Sequence, residues 1–158
     1  MHIDVSLAHQ LLRLYDDHGD LLMEAPVSSS ANGPGEAFGS ERTPRGQHVI
    51  RAKIGDGLPQ NSVLVRRRPT GEIYTPQLAR DNPGRDWILS RILWLSGKEP
   101  GRNRLGEVDS MRRFIYIHGT PDSEPMGKPA SHGCLRMRNA DVIRLFDLTP
   151  VGTTVNIA

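Results

Sequence analysis

Glycine and proline interrupt this sequence so often that long helices are excluded from most of it. The chain has 16 glycines and 12 prolines among its 158 residues. Between them lie short runs in which apolar and polar residues alternate, which is the pattern of a strand with one buried face. Such a composition favours β structure over a helical bundle. We therefore predict a mainly β fold, in one domain over residues 1–158, since that length suits a single hydrophobic core.

The predicted elements follow this alternation and its interruptions. The run 87–95 is ambiguous between helix and strand, and we expect a strand over its second half. One short helix is predicted near the C-terminus, over residues 139–148, with Asn139 as its N-cap. Loops are predicted over 28–46 and 120–130, where glycine, proline and small polar residues dominate. Strands are predicted over residues 3–7, 10–15, 21–27, 47–54, 62–65, 71–76, 92–95, 114–117 and 153–157.

Charge and hydropathy argue against a nucleic-acid partner, a membrane span and a signal peptide. The formal net charge is only +2, so we expect no nucleic-acid partner. The arginine clusters at 66–68 and 112–113 are interpreted as solvated surface. No apolar run approaches the roughly 18 residues that a membrane span needs. Residues 1–10 lack the basic start and apolar core of a signal peptide, which predicts a cytoplasmic protein if Met1 is the native start.

The residues that could carry chemistry are concentrated in the segment 114–139. It contains the only cysteine, Cys134, and two of the six histidines, His118 and His132. A β-branched and aromatic run leads into His118, and a loop with three prolines separates it from Cys134. Such a loop can fold back and bring the imidazole beside the thiol. A cysteine and a histidine that meet in space can act as a nucleophile and its base. A single cysteine also excludes an internal disulfide.

This segment resembles the catalytic domain of the L,D-transpeptidases, the YkuD-like family. The family motif is a histidine, a loop, and then Ser/Thr-His-Gly-Cys followed by a hydrophobic residue and Asn or Arg. The sequence has His118-Gly119-Thr120 and, after the loop, Ser131-His132-Gly133-Cys134-Leu135-Arg136. The turns Val27-Ser28-Ser29 and Thr43-Pro44-Arg45-Gly46 extend the resemblance over nearly the whole chain. It implies a β-sandwich-like mixed fold with the active site at one end.

The resemblance also implies roles for the motif residues. Cys134 is the nucleophile, His118 is its base, and the Gly119 carbonyl holds the far nitrogen of the imidazole. Backbone N–H groups at the turn around Gly133 are expected to face a developing oxyanion. If the segment is extended, Arg136 shares the face of Cys134. Its guanidinium then suits a substrate carboxylate.

Three further residues have two interpretations each. His132 and Ser131 either shape the turn before Cys134, which we favour, or contact the substrate. Tyr116 lies two residues before His118 on the same side of the strand. It either lines the cleft or packs in the core. All three therefore remain candidates for substrate binding.

The family acts on peptidoglycan stem peptides. By resemblance, the cysteine attacks the third residue of a tetrapeptide, usually a diamino acid, and expels D-alanine to leave a thioester. The acceptor is a second peptide, which gives a 3–3 crosslink, or a D-amino acid, or water, which makes the enzyme an L,D-carboxypeptidase. No cofactor and no metal is needed, and carbapenems are expected to acylate the cysteine. The substrate indicates the cell envelope or periplasm.

Two alternatives of another class remain. His118, His132 and Cys134 could be three ligands of a tetrahedral zinc site, although no fourth ligand and no paired cysteine spacing accompanies them. The chain could also be a peptidoglycan-binding module that keeps the fold but is catalytically idle. Metal analysis tests the first alternative, and an acylation assay tests the second.

Overall fold

A computed structural model of the protein describes all residues, 1–158, as one ten-stranded mixed sheet with two α-helices. The helices are α1 (Pro76–Asp81) and α2 (Asn139–Leu148). Neither has the length or the apolar composition needed to traverse a lipid bilayer. The strands are β1 (His2–Ser6), β2 (Leu11–Tyr15), β3 (Leu21–Pro26), β4 (Gly46–Ile54), β5 (Ser62–Val65), β6 (Arg68–Ile73), β7 (Ile88–Gly97), β8 (Tyr116–Thr120), β9 (Leu135–Arg138) and β10 (Thr154–Ile157).

Strand β7 is the point at which the sheet branches. The main order is β3-β2-β1-β10-β4-β7-β5-β6, while β8 pairs with β7 and β9 pairs with β8. The register of β7 against β8 shifts between Leu89 and Ile92, and Ser90 there has a φ of 69°. This irregularity lets β4 and β5 follow each other along one edge of β7, while β8 takes the opposite edge. The parallel pair β8–β9 is therefore carried by the central strand of the fold.

The main hydrophobic core lies between the sheet and α2. It contains 19 buried residues, to which α2 contributes Val142, Leu145 and Phe146 from one face of the helix. Burying an apolar side chain of this size stabilises the fold by about 1.5–3 kcal/mol. A second, smaller cluster joins β5, β7 and β8, and Cys134 packs against it. The cysteine is thus supported by packed strands rather than by a free loop.

The predicted mainly β fold with a helix near the C-terminus is confirmed. The strand predicted over 62–65 has those bounds, and the strand predicted over 92–95 is the middle of the longer β7. The helical alternative for the run 87–95 is wrong. Strand β8 starts later than predicted and continues through His118 and Gly119, because β7 and β9 pair with it on both sides.

Two local predictions are wrong for identifiable reasons. The strand predicted over 71–76 is the end of β6 and the start of α1, which Thr75 caps by accepting a hydrogen bond from the Leu78 N–H at 3.1 Å. Asn139 is the first residue of α2 and not its N-cap. Its buried side chain instead accepts a hydrogen bond from Ser90 at 2.7 Å and donates one to the Thr120 carbonyl at 2.9 Å.

Candidate active site

Parallel pairing of β8 and β9 brings the two halves of the motif together. In this register His118 lies opposite Arg136. Because alternate residues of a strand point to the same face, Tyr116 and His118 share a face on β8. Cys134, which immediately precedes β9, shares that face with Arg136. The long loop predicted over 120–130 therefore returns the chain so that the cysteine and the histidine face one cleft.

The Cys134 thiol is half-buried and held by two backbone groups. It donates a hydrogen bond to the Phe114 carbonyl at 3.3 Å, and its sulfur accepts one from the Tyr116 N–H at 3.3 Å. Burial raises the pKa of Cys134 to about 11, although the Tyr116 N–H acts in the opposite direction. The resting side chain at neutral pH is therefore a thiol and not a thiolate.

The His118 imidazole is buried, with 2% of its surface exposed, and its tautomer is set by one contact. Its Nδ1 lies 2.7 Å from the Gly119 carbonyl oxygen, which can only accept a hydrogen bond. Nδ1 must therefore carry the proton, and Nε2 presents a lone pair. Nε2 has no hydrogen-bond partner in the chain, and no hydrogen bond joins His118 to Cys134. Burial lowers the pKa of His118, so the ring is neutral at pH 7.

A glycine is required at position 119 because other groups approach its backbone closely. A Cβ there would lie 2.5 Å from the Leu89 carbonyl oxygen and 2.5 Å from Oδ1 of Asn139. The Asn139 side chain is held in that place by its hydrogen bonds to Ser90 and Thr120. The buried asparagine thus packs against the residue whose carbonyl orients the imidazole.

The turn before Cys134 is closed by its own side chains. The Ser131 hydroxyl donates to the Cys134 carbonyl at 2.6 Å and accepts from the Gly133 N–H at 3.2 Å. Gly133 has a φ of 133°, which favours glycine. The Gly133 N–H is therefore already engaged, whereas the N–H of Cys134 has no acceptor within the chain.

The loop that follows β3 fixes this turn from outside. Ser28 and Arg136 exchange two backbone hydrogen bonds, at 2.9 and 3.0 Å. Thr43 donates its hydroxyl proton to the Gly133 carbonyl at 2.9 Å. The segment predicted as a loop, residues 28–46, therefore supports the turn that carries the cysteine.

These residues surround a pocket of about 240 Å³. Six of the predicted site residues line it, whereas Gly119 and Gly133 are not part of its lining. The predicted residues at the pocket are Tyr116, His118, Ser131, His132, Cys134 and Arg136. Sequence reasoning missed Asp86, Ile88, Arg113, Phe114 and Ile115, which complete the lining.

Two arginines predicted to be solvated surface have structural contacts here. Arg113 is half-buried and donates to the Arg42 carbonyl at 2.6 Å. The Arg67 guanidinium lies 4.7 Å from the centre of the Phe114 ring and donates to the Tyr116 hydroxyl at 3.0 Å. The surface interpretation is wrong for these two residues, since their partners lie far away in sequence. Tyr116 is buried in the smaller core cluster and also lines the pocket.

Arg136 and His132 differ in how the protein holds them. Arg136 is only 9% exposed, and its nearest acidic partner is Asp86, at 3.5 Å. His132 is exposed and its ring makes no hydrogen bond within the chain, so it does not shape the turn through such a bond. No group of three His, Cys, Asp or Glu side chains has an arrangement that could hold a metal ion, so the geometry gives no support to the zinc alternative.

Comparison with known proteins agrees with the resemblance that the sequence motif shows. A family profile described as YkuD, L,D-transpeptidase catalytic domain, matches residues 1–157. The Bacillus subtilis protein YkuD, itself only provisionally assigned as an L,D-transpeptidase, is 35% identical over 94 residues, which are 60% of this chain and 47% of that relative. The matched part is thus about half the length of the relative.

Solved structures of similar fold include an Enterococcus faecium L,D-transpeptidase mutant and the L,D-transpeptidase LdtMt1 in complex with imipenem. The first has a TM-score of 0.60 and 16% identity, and the match covers 99% of this chain and 49% of that one. The second has a TM-score of 0.58 and 17% identity, with coverage of 99% and 57%. At these identities the likeness establishes the fold.

Proposed function

Because the chain belongs to the L,D-transpeptidase catalytic-domain family, we propose that it transfers an acyl group from a peptidoglycan tetrapeptide stem, with Cys134 as the nucleophile. The family acts on peptidoglycan, and the stem peptide supplies the carbonyl that a thiol can attack. Peptidoglycan as the substrate also favours the cell envelope as the place of action. The acceptor is an amine of a second stem or of a D-amino acid, with water as the hydrolytic alternative.

One observation carries this proposal. The Cys134 sulfur and the unpaired Nε2 of His118 belong to residues that line the same pocket. The Gly119 carbonyl fixes the tautomer that leaves Nε2 free to accept a proton. A nucleophile, a base and a group that orients the base are the minimum set for covalent catalysis by a thiol. A catalytically idle binding module would have no need of this arrangement of thiol, imidazole and carbonyl.

Acylation follows from these groups. The sulfur forms a bond to the carbonyl carbon of the third residue of the stem, while the thiol proton moves to Nε2 of His118. The unpaired N–H of Cys134 is the donor best suited to the oxyanion, because the Gly133 N–H is bound to Ser131. The carbon–nitrogen bond to D-alanine then breaks, and the imidazolium gives its proton to the departing amine. A thioester on Cys134 remains.

The Cys134 thiol and the His118 imidazole are both neutral before the substrate binds, which determines when the proton moves. Burial raises the pKa of the Cys134 thiol to about 11 and lowers the pKa of His118. A stable thiolate–imidazolium pair is therefore disfavoured in the empty site, and the proton is transferred as the thiol attacks. In the second half-reaction the neutral imidazole takes a proton from the incoming amine or water, and the thiol leaves again. The scheme balances without any cofactor.

Arg136 is proposed to bind a substrate carboxylate. Its guanidinium lies at the pocket on the strand that follows Cys134, and it is nine-tenths buried. A planar guanidinium suits a carboxylate through two parallel hydrogen bonds. Arg136→Ala should weaken turnover of the tetrapeptide, and Arg136→Lys should restore only part of it. If Arg136→Ala unfolds the protein instead, the residue is structural.

The direct test is incubation with a disaccharide-tetrapeptide, with and without an added D-amino acid, followed by mass analysis. We expect loss of D-alanine together with an exchanged or crosslinked product, and no product from Cys134→Ala. Hydrolysed tripeptide as the only product would identify an L,D-carboxypeptidase. An intact tetrapeptide after incubation with folded wild-type protein would contradict the proposal.

Covalent capture by a carbapenem gives a second test. LdtMt1, a protein of the same fold, has been solved in complex with the carbapenem imipenem. This protein should gain one drug mass on Cys134, because a strained acyl bond needs only the nucleophile and its base. Cys134→Ala should gain none. An unchanged adduct in that variant would place the nucleophile elsewhere.

A further inference from the structure

A closed network of hydrogen bonds lies beside the strand that carries His118. The backbone N–H of Asn61 donates to the Ser90 hydroxyl at 3.0 Å, and that hydroxyl donates to Oδ1 of Asn139 at 2.7 Å. Nδ2 of Asn139 closes the network with a hydrogen bond of 3.0 Å to Oδ1 of Asn61. The same Nδ2 donates to the Thr120 carbonyl at 2.9 Å, which joins the network to the end of β8. Parts of the chain that are far apart in sequence thus meet at the Asn139 side chain.

The orientation of the Asn139 amide follows from its partners. The Thr120 carbonyl can only accept a hydrogen bond, so the side-chain atom beside it is the nitrogen. The Ser90 hydroxyl accepts from the Asn61 N–H and turns its own proton toward Oδ1. Asp122 lies farther from Nδ2, at 3.4 Å. A buried polar network in which every member has a partner rigidifies the structure around it.

Helix α2 does not use this side chain. Asn139 is the first residue of the helix, Arg138 is its N-cap, and no side chain caps it. Asn139 and Ser90 are nevertheless fully buried, although burial of a polar group costs free energy that an apolar residue would avoid. Ser90 also has a φ of 69°, a conformation that persists only where the surrounding structure holds it. These costs indicate that the network serves something other than the helix.

Gly119 connects the network to the imidazole of His118. The Gly119 carbonyl accepts the hydrogen bond from Nδ1 of His118 at 2.7 Å. Oδ1 of Asn139 approaches the Gly119 backbone so closely that a Cβ there would lie 2.5 Å from it. The next carbonyl along the chain, that of Thr120, is held by Nδ2 of Asn139. One side chain therefore contacts the segment at two points and limits how far the peptide group between Gly119 and Thr120 can turn.

We propose that Asn139 is a positioning residue for the base and acts through the Gly119 carbonyl. The network holds that carbonyl at Nδ1 of His118, so the imidazole keeps its proton there and presents the lone pair of Nε2 to the pocket. Resting on the proposed function, this lone pair is the one that accepts the proton of Cys134. Without the network the Gly119 carbonyl can turn away. The imidazole can then carry its proton on Nε2, where it cannot accept another from the thiol.

The test measures the tautomer of His118 in the resting protein, by nitrogen NMR of the imidazole with assignment through His118→Ala. Asn139→Asp has nearly the same shape and keeps Oδ1, but an oxygen replaces Nδ2 beside the Thr120 carbonyl. The ratio of the two tautomers should move about tenfold toward the form protonated at Nε2. The rate constant of carbapenem acylation should fall about ten- to hundredfold, as it does when a reacting group is misplaced. The Kd of the initial drug complex should change less, because Asn139 does not line the pocket.

Asn103→Asp is the matched control. Asn103 is also fully buried, and its Nδ2 donates to the carbonyls of Arg45 and Gln47 at 3.0 Å. Its Oδ1 accepts from the Glu99 N–H at 2.9 Å. This variant should lose a similar amount of stability, yet keep the wild-type tautomer of His118 and the wild-type acylation rate per folded molecule.

A wild-type tautomer ratio in folded Asn139→Asp would overturn the proposal, whatever its acylation rate, and so would an equal shift in Asn103→Asp. If Asn139→Asp does not fold, Ser90→Gly decides by the same ratio. Glycine suits the φ of 69°, and the hydroxyl that holds Oδ1 of Asn139 is lost. A shift of about threefold is expected there, and an unchanged ratio would overturn the proposal. If the wild-type protein is not acylated, the proposed function fails, and the tautomer ratios still decide the role of Asn139.

Discussion

Two buried histidines in this molecule make the same kind of hydrogen bond through Nδ1 and differ at Nε2. His48 is fully buried and His118 is 2% exposed. In each ring Nδ1 donates to a glycine carbonyl, that of Gly46 at 3.0 Å and that of Gly119 at 2.7 Å. Nε2 of His48 accepts a hydrogen bond from the Ser110 hydroxyl at 2.8 Å, whereas Nε2 of His118 has no partner in the chain.

This difference separates a structural histidine from a candidate base. Burial lowers the pKa of both rings, so neither burial nor the direction of the shift distinguishes them. Leaving a buried polar atom without a partner costs about 1–3 kcal/mol. The protein avoids that cost at His48 through Ser110, whereas the His118 ring lines the pocket that contains Cys134, so its Nε2 is open to a ligand and not enclosed. The unpaired nitrogen is therefore the feature that indicates chemistry.

The largest expected difference is in acylation. His118→Ala should lower the acylation rate by about a hundredfold or more, because the thiol then has no base. The matched variant, His48→Ala, should acylate at the wild-type rate per folded molecule. Carbapenem adduct formation followed by mass gives both rates.

The stability of the same pair of variants is the necessary control. His48→Ala removes a ring whose two nitrogens are both paired, so it should unfold more easily than wild type by about 1–3 kcal/mol. Wild-type acylation by folded His118→Ala, or a hundredfold loss in folded His48→Ala, would reverse the assignment of the two histidines.

The sequence predicted the strands well where alternation was regular, as over 47–54, which lies within β4. It failed where a local pattern competed with tertiary contacts. Asn139 has the right position for a cap, but its side chain is recruited by Ser90 and Thr120 from the strands behind it. Thr75 followed by Pro76 was a usable helix-start signal, and it was missed because the preceding residues had strand character.

The residues of the site show the same difference. Those in the motif were predicted from the sequence, and those that reach the pocket from distant parts of the chain were not. Cys134 and His118 were predicted because the motif is local in sequence on either side of one loop. Asp86 and Arg113 were not predicted as site residues, since they reach the pocket only through the pairing of β7 and β8 and through contacts with the loop after β3. A single aspartate or arginine without a motif carries no signal that distinguishes it from the surface.

The pH dependence of acylation is the next expected effect. Only neutral His118 can accept the thiol proton, and burial holds its pKa below the ordinary value of 6.5. The rate should therefore rise with pH, reach half its maximum below pH 6.5 and then stay level near neutrality. Below the midpoint it should fall about tenfold per pH unit. The apparent pKa belongs to the cysteine–histidine pair.

His48→Ala provides the comparison for this profile. Its midpoint should equal that of the wild type, because His48 is remote from the thiol and its nitrogens are paired with Gly46 and Ser110. A midpoint above pH 6.5 in the wild type would mean that His118 is stabilised as the cation, contrary to the effect of its burial.

Acid should destabilise the fold through both histidines. In the unfolded chain each takes up a proton near pH 6.5, whereas burial holds the folded pKa values lower. Between those values the unfolded chain binds more protons, so the free energy of unfolding falls as pH decreases below 6.5. Each histidine contributes a slope of up to about 1.4 kcal/mol per pH unit. Urea unfolding at several pH values between 5 and 7 measures it.

Single variants should show how much of the pH dependence of the free energy of unfolding comes from each histidine. His48→Ala and His118→Ala should each remove part of the slope, and the double variant should remove most of it. The depressed carboxyl groups, such as those of Glu36 and Glu99, lose their contribution only below the ordinary value of 4.5. An unchanged slope between pH 5 and 6.5 in the double variant would show that other groups take up the proton.

The smallest expected effect comes from making His48 resemble His118. Ser110→Ala removes the only partner of the His48 Nε2 and leaves that nitrogen buried with a free lone pair. The loss should be about 1 kcal/mol in the free energy of unfolding, with no change in acylation, because no thiol lies beside this ring. Ser110→Thr keeps the hydroxyl and should recover part of the loss. Equal stability of wild type and Ser110→Ala would mean that the second hydrogen bond of His48 contributes nothing to the free energy of unfolding.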